Sequence, residues 1–342
     1  MTFHAESRPA ASDLPACAAF MPACSEPGPR CGETLVTFEP RHARGARAVR
    51  VRWSLHGPAG GALVIVQGGI SADRHVTDGD AVGGWWSAVA GDGGAIDTRR
   101  QRVLSIDWLV AADLGPDALA VGSEDQADAI AGLLDALGER RASAYVGASY
   151  GAMVGLAFAA RHPQRLGRLV AIAGAHRAHP LSVAIRNIQR EVVRFARAHG
   201  DTARGLDLAR RLAMTTYRGE REFAERCDAA PAFVDGRYRF AEEGWLRAAG
   251  ARFAQRFSAE RFLALSESID LHAVAPRDVR VPTTLIGFSS DRVVPLADLC
   301  ELQLGLGAAA ALHVIDTRYG HDGFLKEPAQ VGALLREALL EH

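Results

Sequence analysis

One lysine, Lys326, stands in a chain of 342 residues whose cationic side chains are otherwise all arginine. That imbalance reads as genomic composition bias rather than phosphate recognition, because the formal net charge is only -1. A nucleic-acid or anionic-membrane binder would carry a basic excess or a basic stripe, and there is neither. The five cysteines, Cys17, Cys24, Cys31, Cys227 and Cys300, form no C-x-x-C pair. An odd count without that pair excludes a zinc site and a disulfide framework, and points to reduced thiols. No run of about 20 apolar residues suggests a membrane span. The first twenty residues lack a basic start and a continuous apolar core, so the expectation is a cytoplasmic protein without a secretory signal.

What is present is a rhythm. ALVIV (62–66), VLSID (103–107), SAYVG (143–147), RLVAIA (168–173), TTLIGF (283–288) and LHVID (312–316) are strand-length runs apolar on both faces. Such runs predict a mostly parallel sheet covered by helices on both sides. Helices are expected at 124–138, 150–161 and 328–340; in the first, Ala127, Ile130, Leu133, Leu134 and Leu137 make one apolar face. Residues 1–33, rich in Pro, Ala and Ser, predict a loose N-terminal extension. The strand rhythm stops at residue 173 and resumes at 283. This divides the chain into a core of 34–173 and 283–342, with 174–282 as an inserted helical cap.

The pentapeptide GASYG places Ser149 between SAYVG, a strand, and MVGLAFAARH, a helix. That strand-to-helix junction is the context a nucleophile elbow requires. A serine capping an ordinary βα turn would read the same, so the partners decide. A hydroxyl nucleophile needs a base, and the base an orienting carboxylate. Asp291 follows TTLIGF and His321 follows LHVID, both at carboxyl ends of strands and in the order serine, acid, histidine. Asp316 is the rival acid, less well placed at the end of the strand preceding the histidine. The amide of Tyr150, and that of Gly69 or Ile70 in the loop QGGIS after the first strand, are candidates for an oxyanion hole. The expected architecture is therefore the α/β-hydrolase fold.

Several segments are similar to the homoserine O-acyltransferases of that fold, from about residue 62 to the C-terminus. These are GGISADRH (68–75), GWWSAVAGDGGAIDTRRQRVLSID (84–107), AIRNIQREVV (184–193), LARRLAMTTY (208–217) and YGHDGF (319–324). The resemblance implies ping-pong transfer of an acetyl or succinyl group from acyl-CoA, a co-substrate with no bound cofactor or metal. The acceptor it implies is the hydroxyl of homoserine or serine, within methionine or cysteine biosynthesis. It implies Ser149, Asp291 and His321 as the catalytic triad, and Ile70 with Tyr150 as the oxyanion hole. For the acceptor it implies Arg210 at the carboxylate, Tyr217 nearby and Asp322 at the ammonium.

Two departures stand out. The elbow has Ala152 where these proteins usually carry glycine, and Tyr150 where they carry leucine or methionine. The segment after VLSID is shorter than their usual asparagine- and glycine-rich loop. The stretch HPLSVAIRNIQRE is closer to the succinylating branch than to the acetylating one. Two other readings remain: a serine hydrolase with water as acceptor, and a non-enzymatic scaffold, against which the complete triad argues. Phe253, Phe257, Phe262 and Leu263 are apolar cap residues through which a homodimer would form, unless they are simply core.

Overall fold

The computed structural model describes residues 30–79 and 83–340. Cys17 and Cys24 fall outside these residues, as does most of the expected N-terminal extension. Eight strands build one sheet: β1 (Arg30–Phe38), β2 (Arg47–His56), β3 (Ala62–Gln67), β4 (Gln101–Ile106), β5 (Ala144–Ala148), β6 (Leu169–Ile172), β7 (Thr283–Phe288) and β8 (Ala310–Ile315). Their spatial order is β1-β2-β4-β3-β5-β6-β7-β8. From β4 to β8 all pairings are parallel, whereas β1–β2 and β2–β4 are antiparallel.

The two antiparallel strands are absent from the sequence reading for a physical reason. β1 alternates exposed and buried positions, as an edge strand with one wet face does, so it has no continuous apolar run. It also begins at Arg30, so residues 30–33 belong to the sheet rather than to an extension.

Within the central strands the two-residue pleat divides each apolar run between two cores. Ile65, Leu104, Tyr145, Ala171 and Leu285 face one side. Val64, Val66, Val103, Val146, Val170 and Ile286 face the other. The first side is covered by α1 (Ser123–Ala136) and α2 (Tyr150–Arg161), and the second includes α10 (Pro328–Leu340). Fully burying such side chains stabilises the fold by roughly 1.5–3 kcal/mol each.

Between β6 and β7 lie α3 (Pro180–Ala198), α4 (Thr202–Tyr217), α5 (Glu220–Arg226), α6 (Ala241–Arg256) and α7 (Ala259–Leu271). The segment is not wholly helical, since Ala232–Val234 and Arg237–Arg239 form a short antiparallel hairpin. Phe253, Phe257, Phe262 and Leu263 do not make an open apolar face. They pack with Val193, Leu206, Ala209 and Ala259 in a small core between these helices. The chain completes the architecture with α8 (Leu296–Leu306) and the short α9 (Gly323–Lys326).

Candidate active site

Ser149 sits between the end of β5 and the first residue of α2, with φ 55° and ψ -118°. A non-glycine residue at positive φ is strained, and it persists only where its surroundings over-determine it. Here the turn is forced by close backbone approach. A Cβ on Gly147 would lie 2.3 Å from the Gly151 carbonyl oxygen, and one on Gly151 would lie 2.2 Å from that of Gln67. Only glycine lets β5, α2 and the end of β3 meet this closely. Ala152 is accommodated by a second glycine. Its methyl faces Gly174, where an added Cβ would come within 2.5 Å.

The turn delivers the Ser149 hydroxyl to His321, with Oγ and Nε2 2.8 Å apart. His321 Nδ1 is 2.7 Å from Asp291 Oδ2. With Asp291 ionised, these contacts select one tautomer: Nδ1–H donates to the carboxylate and Nε2 accepts from the hydroxyl. The other oxygen of Asp291 accepts from the amides of Val293 and Val294 at 2.8 and 3.0 Å, which fixes the carboxylate plane. Burial pulls the His321 imidazole pKa down, but the charge and hydrogen bond of Asp291 outweigh it, so the net shift is upward. Asp316 is exposed, accepts a hydrogen bond from Ser289 Oγ, and does not take the place of Asp291.

The loop after β3 passes over the hydroxyl. A Cβ added to Gly69 would meet the Ser149 side chain at 3.8 Å, and Trp108 Nε1 donates to the Gly69 carbonyl at 3.1 Å. The amides of Ile70 and Tyr150 donate to no acceptor among the described residues. Arg74 pins the far side of this loop to Asp107 at the end of β4, through its amide at 3.0 Å and a guanidinium contact at 2.6 Å. The paired tryptophans have separable tasks. Trp86 is buried and donates from Nε1 to the Phe324 carbonyl at 2.9 Å, tying this region to the histidine loop. Trp85 stacks on it at 5.3 Å and lines the cleft.

That cleft, about 440 Å³, is lined by Gly69, Ile70, Ser149, His321, Arg210, Tyr217 and Asp322, among others. The expected site residues are thus brought to one cavity, except Asp291, which is held behind His321, and the Tyr150 side chain. The tyrosine is buried beneath, and its hydroxyl bonds to Ser268 Oγ at 2.6 Å. Arg210 is sandwiched between the rings of Tyr217 and Phe253, at 5.2 and 5.3 Å. It has no acidic partner among the described residues. Asp322 is not a free carboxylate: Arg218 Nε lies 2.9 Å from its Oδ2. That nitrogen is off the hydrogen-bonding axis, so the contact is Coulombic rather than directed. Arg186 and Arg218 also line the cleft. Neither carries a role in the sequence reading, although Arg186 lies inside the quoted AIRNIQREVV. The available signal was an arginine on the same α3 face as Gln189, Arg190 and Val193, all buried.

Residues 63–328 match the model of the alpha/beta hydrolase fold family. The chain is 46% identical over 310 residues to a homoserine O-succinyltransferase of Xanthomonas campestris pv. campestris, covering 90% of this chain and 83% of that protein. It is 33% identical to a homoserine O-acetyltransferase of Clavibacter michiganensis subsp. michiganensis, covering 85% and 87%. Among solved structures, homoserine O-acetyltransferase from Bacillus anthracis superposes with a TM-score of 0.83 at 17% identity, over 92% of this chain and 98% of that one. An acetylester hydrolase from Corynebacterium glutamicum shares the fold at a TM-score of 0.76 and 17% identity, over 91% and 96%. On these likenesses, together with the fold and the elbow, the chain belongs to the homoserine O-acyltransferase family of the α/β-hydrolase fold.

Proposed function

We propose that this protein transfers an acyl group from an acyl-CoA thioester to the hydroxyl of homoserine, with serine as the alternative acceptor. The observation that carries the reading is a cleft that holds Arg210, unpaired by any acid among the described residues, and Asp322 beside the Ser149–His321 pair. A guanidinium and a carboxylate suit the two ends of an amino-acid zwitterion. Water as acceptor would need neither.

In the first half-reaction Ser149 Oγ attacks the thioester carbonyl carbon and its proton passes to His321 Nε2. The C–S bond breaks, and the CoA sulfur leaves with that proton. In the second half the acceptor hydroxyl gives its proton to His321 Nε2 and attacks the acyl-serine ester. Ser149 leaves and recovers the proton. Asp291 holds the imidazole tautomer and stabilises the imidazolium in both halves. The Ile70 and Tyr150 amides are assigned to the oxyanion.

An outer groove of about 800 Å³ shares Ser71, Trp85, Arg210, Arg218 and Phe253 with the cleft. Its Arg252, Arg256 and Trp245 are suited to the phosphates and base of CoA. In this reading α3 to α7 act as the cap over the core, and the reaction belongs to cytoplasmic amino-acid biosynthesis. No described helix is long and apolar enough to cross a membrane. A homodimer would use the outer face of α3, where Leu181, Ile188 and Phe195 are exposed at seven-residue spacing.

The test is a matrix of acetyl-CoA and succinyl-CoA against homoserine and serine, read by free thiol and product mass. Thiol release that depends on the amino acid is expected. Equal release without any amino acid would establish hydrolysis instead.

A further inference from the structure

The first donor assigned to the oxyanion is the Ile70 amide, and that N–H shares a peptide unit with the Gly69 carbonyl. In a planar trans peptide the two groups point in opposite directions, so whatever fixes the carbonyl also aims the amide. Gly69 follows Gly68, and neither has a Cβ to restrict rotation of the unit. A flipped unit would present a carbonyl oxygen, instead of a donor, to the developing negative charge.

Two donors hold the Gly69 carbonyl. The Ala72 amide does so at 3.0 Å from within the same loop, and that bond travels wherever the loop goes. Trp108 Nε1 does so from outside the loop, at 3.1 Å. The indole is buried in the core that α1 and α2 cover, so this second bond ties the peptide to fixed ground. Gly69 and Ile70 line the cleft and Trp108 does not. The carbonyl is thus turned out of the cleft toward the indole, and the amide of the same unit is turned in.

The same indole meets the Tyr150 ring edge-on, with centroids 4.9 Å apart. Tyr150 carries the other amide assigned to the oxyanion. One side chain therefore touches both segments that supply the donors, and its bulk sets their spacing. Such a pair works only when each donor lies about 2.7–3.1 Å from the place where charge develops.

We infer that Trp108 is a positioning residue for acyl transfer, whose indole N–H locks the Gly69–Ile70 peptide with the Ile70 amide facing the oxyanion. It touches no substrate and acts through the peptide it holds. The inference rests on the acyltransferase reading and on its assignment of the Ile70 amide.

The experiment removes the N–H and keeps an aromatic ring. Trp108→Phe does this by mutation. Benzothienylalanine placed at position 108 does it with sulfur where the N–H was and with the shape preserved, so it decides the matter if the phenylalanine variant fails to fold. Ser149 is acylated with p-nitrophenyl acetate labelled with carbon-13 at the carbonyl, and the infrared stretch of the acyl-enzyme carbonyl is recorded. Donors in the hole polarise that carbonyl, so the wild-type stretch should lie below that of labelled ethyl acetate in hexane. Both replacements should move it back up. They should also lower kcat by roughly ten- to a hundredfold, less than the 10²–10³ that follows removal of a whole donor. With the acyl-CoA that the wild type uses, the KM for homoserine should stay within about twofold, the mark of an interaction made in the transition state. A packing role alone would lower stability and leave the stretch where it was. An unshifted stretch or an unchanged kcat in the sulfur-substituted protein overturns the inference and leaves acyl transfer standing. A wild-type stretch no lower than that of the ester in hexane removes the Ile70 assignment, and the inference falls with it. If Ser149 is not acylated at all, the acyltransferase reading itself fails.

Discussion

Replacing Ser149 by glycine and by alanine separates the strain of the elbow from its chemistry. Both variants lose the hydroxyl and its bond to His321, so that loss cancels in the comparison. They differ in the backbone. At φ 55° and ψ -118° an L-residue is held where only glycine is comfortable, at a cost of about 1–3 kcal/mol. Glycine gains that relief and gives back roughly 0.5–1 kcal/mol through the larger entropy of its unfolded chain. It also forfeits one half-buried methyl, worth about 0.4 kcal/mol. The balance favours Ser149→Gly over Ser149→Ala by about 1 kcal/mol, opposite to the usual order of these residues. For 342 residues that corresponds to roughly 1–2 °C in melting temperature. Urea unfolding of the two variants side by side reads the difference directly, and both should be inert in acyl transfer. An alanine variant as stable as the glycine variant, or more so, would show that the elbow stores no strain.

The remaining expectations concern the partners of the elbow. Asp291→Asn should lower kcat by about 10⁴, because the imidazole loses the group that fixes its tautomer. In the wild type the acid limb of kcat/KM should lie above that of an unperturbed histidine, and in the variant residual activity should persist to lower pH. The sign follows from Asp291, which raises the His321 pKa against burial. By the same linkage, His321 contributes stability below its unfolded pKa and loses it as pH rises through the raised folded value. The stability gap between wild type and Asp291→Asn should therefore narrow with rising pH, measured by denaturant titration. Gly174→Ala should destabilise by about 1–3 kcal/mol, since its methyl would meet that of Ala152 at 2.5 Å. Adding Ala152→Gly should recover part of the loss, and no recovery would mean that the two positions are not coupled. Ile188→Glu should shift the protein from dimer to monomer in sedimentation. A monomeric wild type would reject the α3 interface.

How much of this was legible in the sequence depended on the kind of signal. Strands buried on both faces announced themselves as apolar runs, so β3 to β8 were placed within a few residues. β1 and β2 were not, because strands that alternate exposed and buried positions have the composition of a polar loop. Ser149, Asp291 and His321 were legible because each follows a strand, and topology alone brings the ends of parallel strands together. Arg210 and Asp322 were chosen only through family resemblance. Nothing in a run of arginines between β6 and β7 distinguishes the one that stacks between Tyr217 and Phe253 from those that pair with Asp207. Asp270, the acid that Arg186 and Arg190 share, was also invisible, because it lies about eighty residues away on α7.

Two departures from the usual family pattern, Tyr150 in the elbow and the short segment after β4, are connected. Tyr150 reaches down from the first position of α2 to Ser268 on α7, and its ring meets that of Trp108 edge-on at 4.9 Å. Trp108 belongs to the segment after β4 that is shortened here, and its indole N–H holds the Gly69 carbonyl. Arg261 of α7 donates to the Trp108 carbonyl at 3.1 Å, closing the circuit. The helix that carries Asp270 is thereby linked to the β3 loop and to the start of α2, the two segments whose amides are proposed to hold the oxyanion. A leucine or methionine at position 150 would fill the space but has no hydroxyl with which to hold α7. The Tyr150 side chain is therefore the strut between the Ser149 turn and α7, and the shortened segment supplies the tryptophan that braces it.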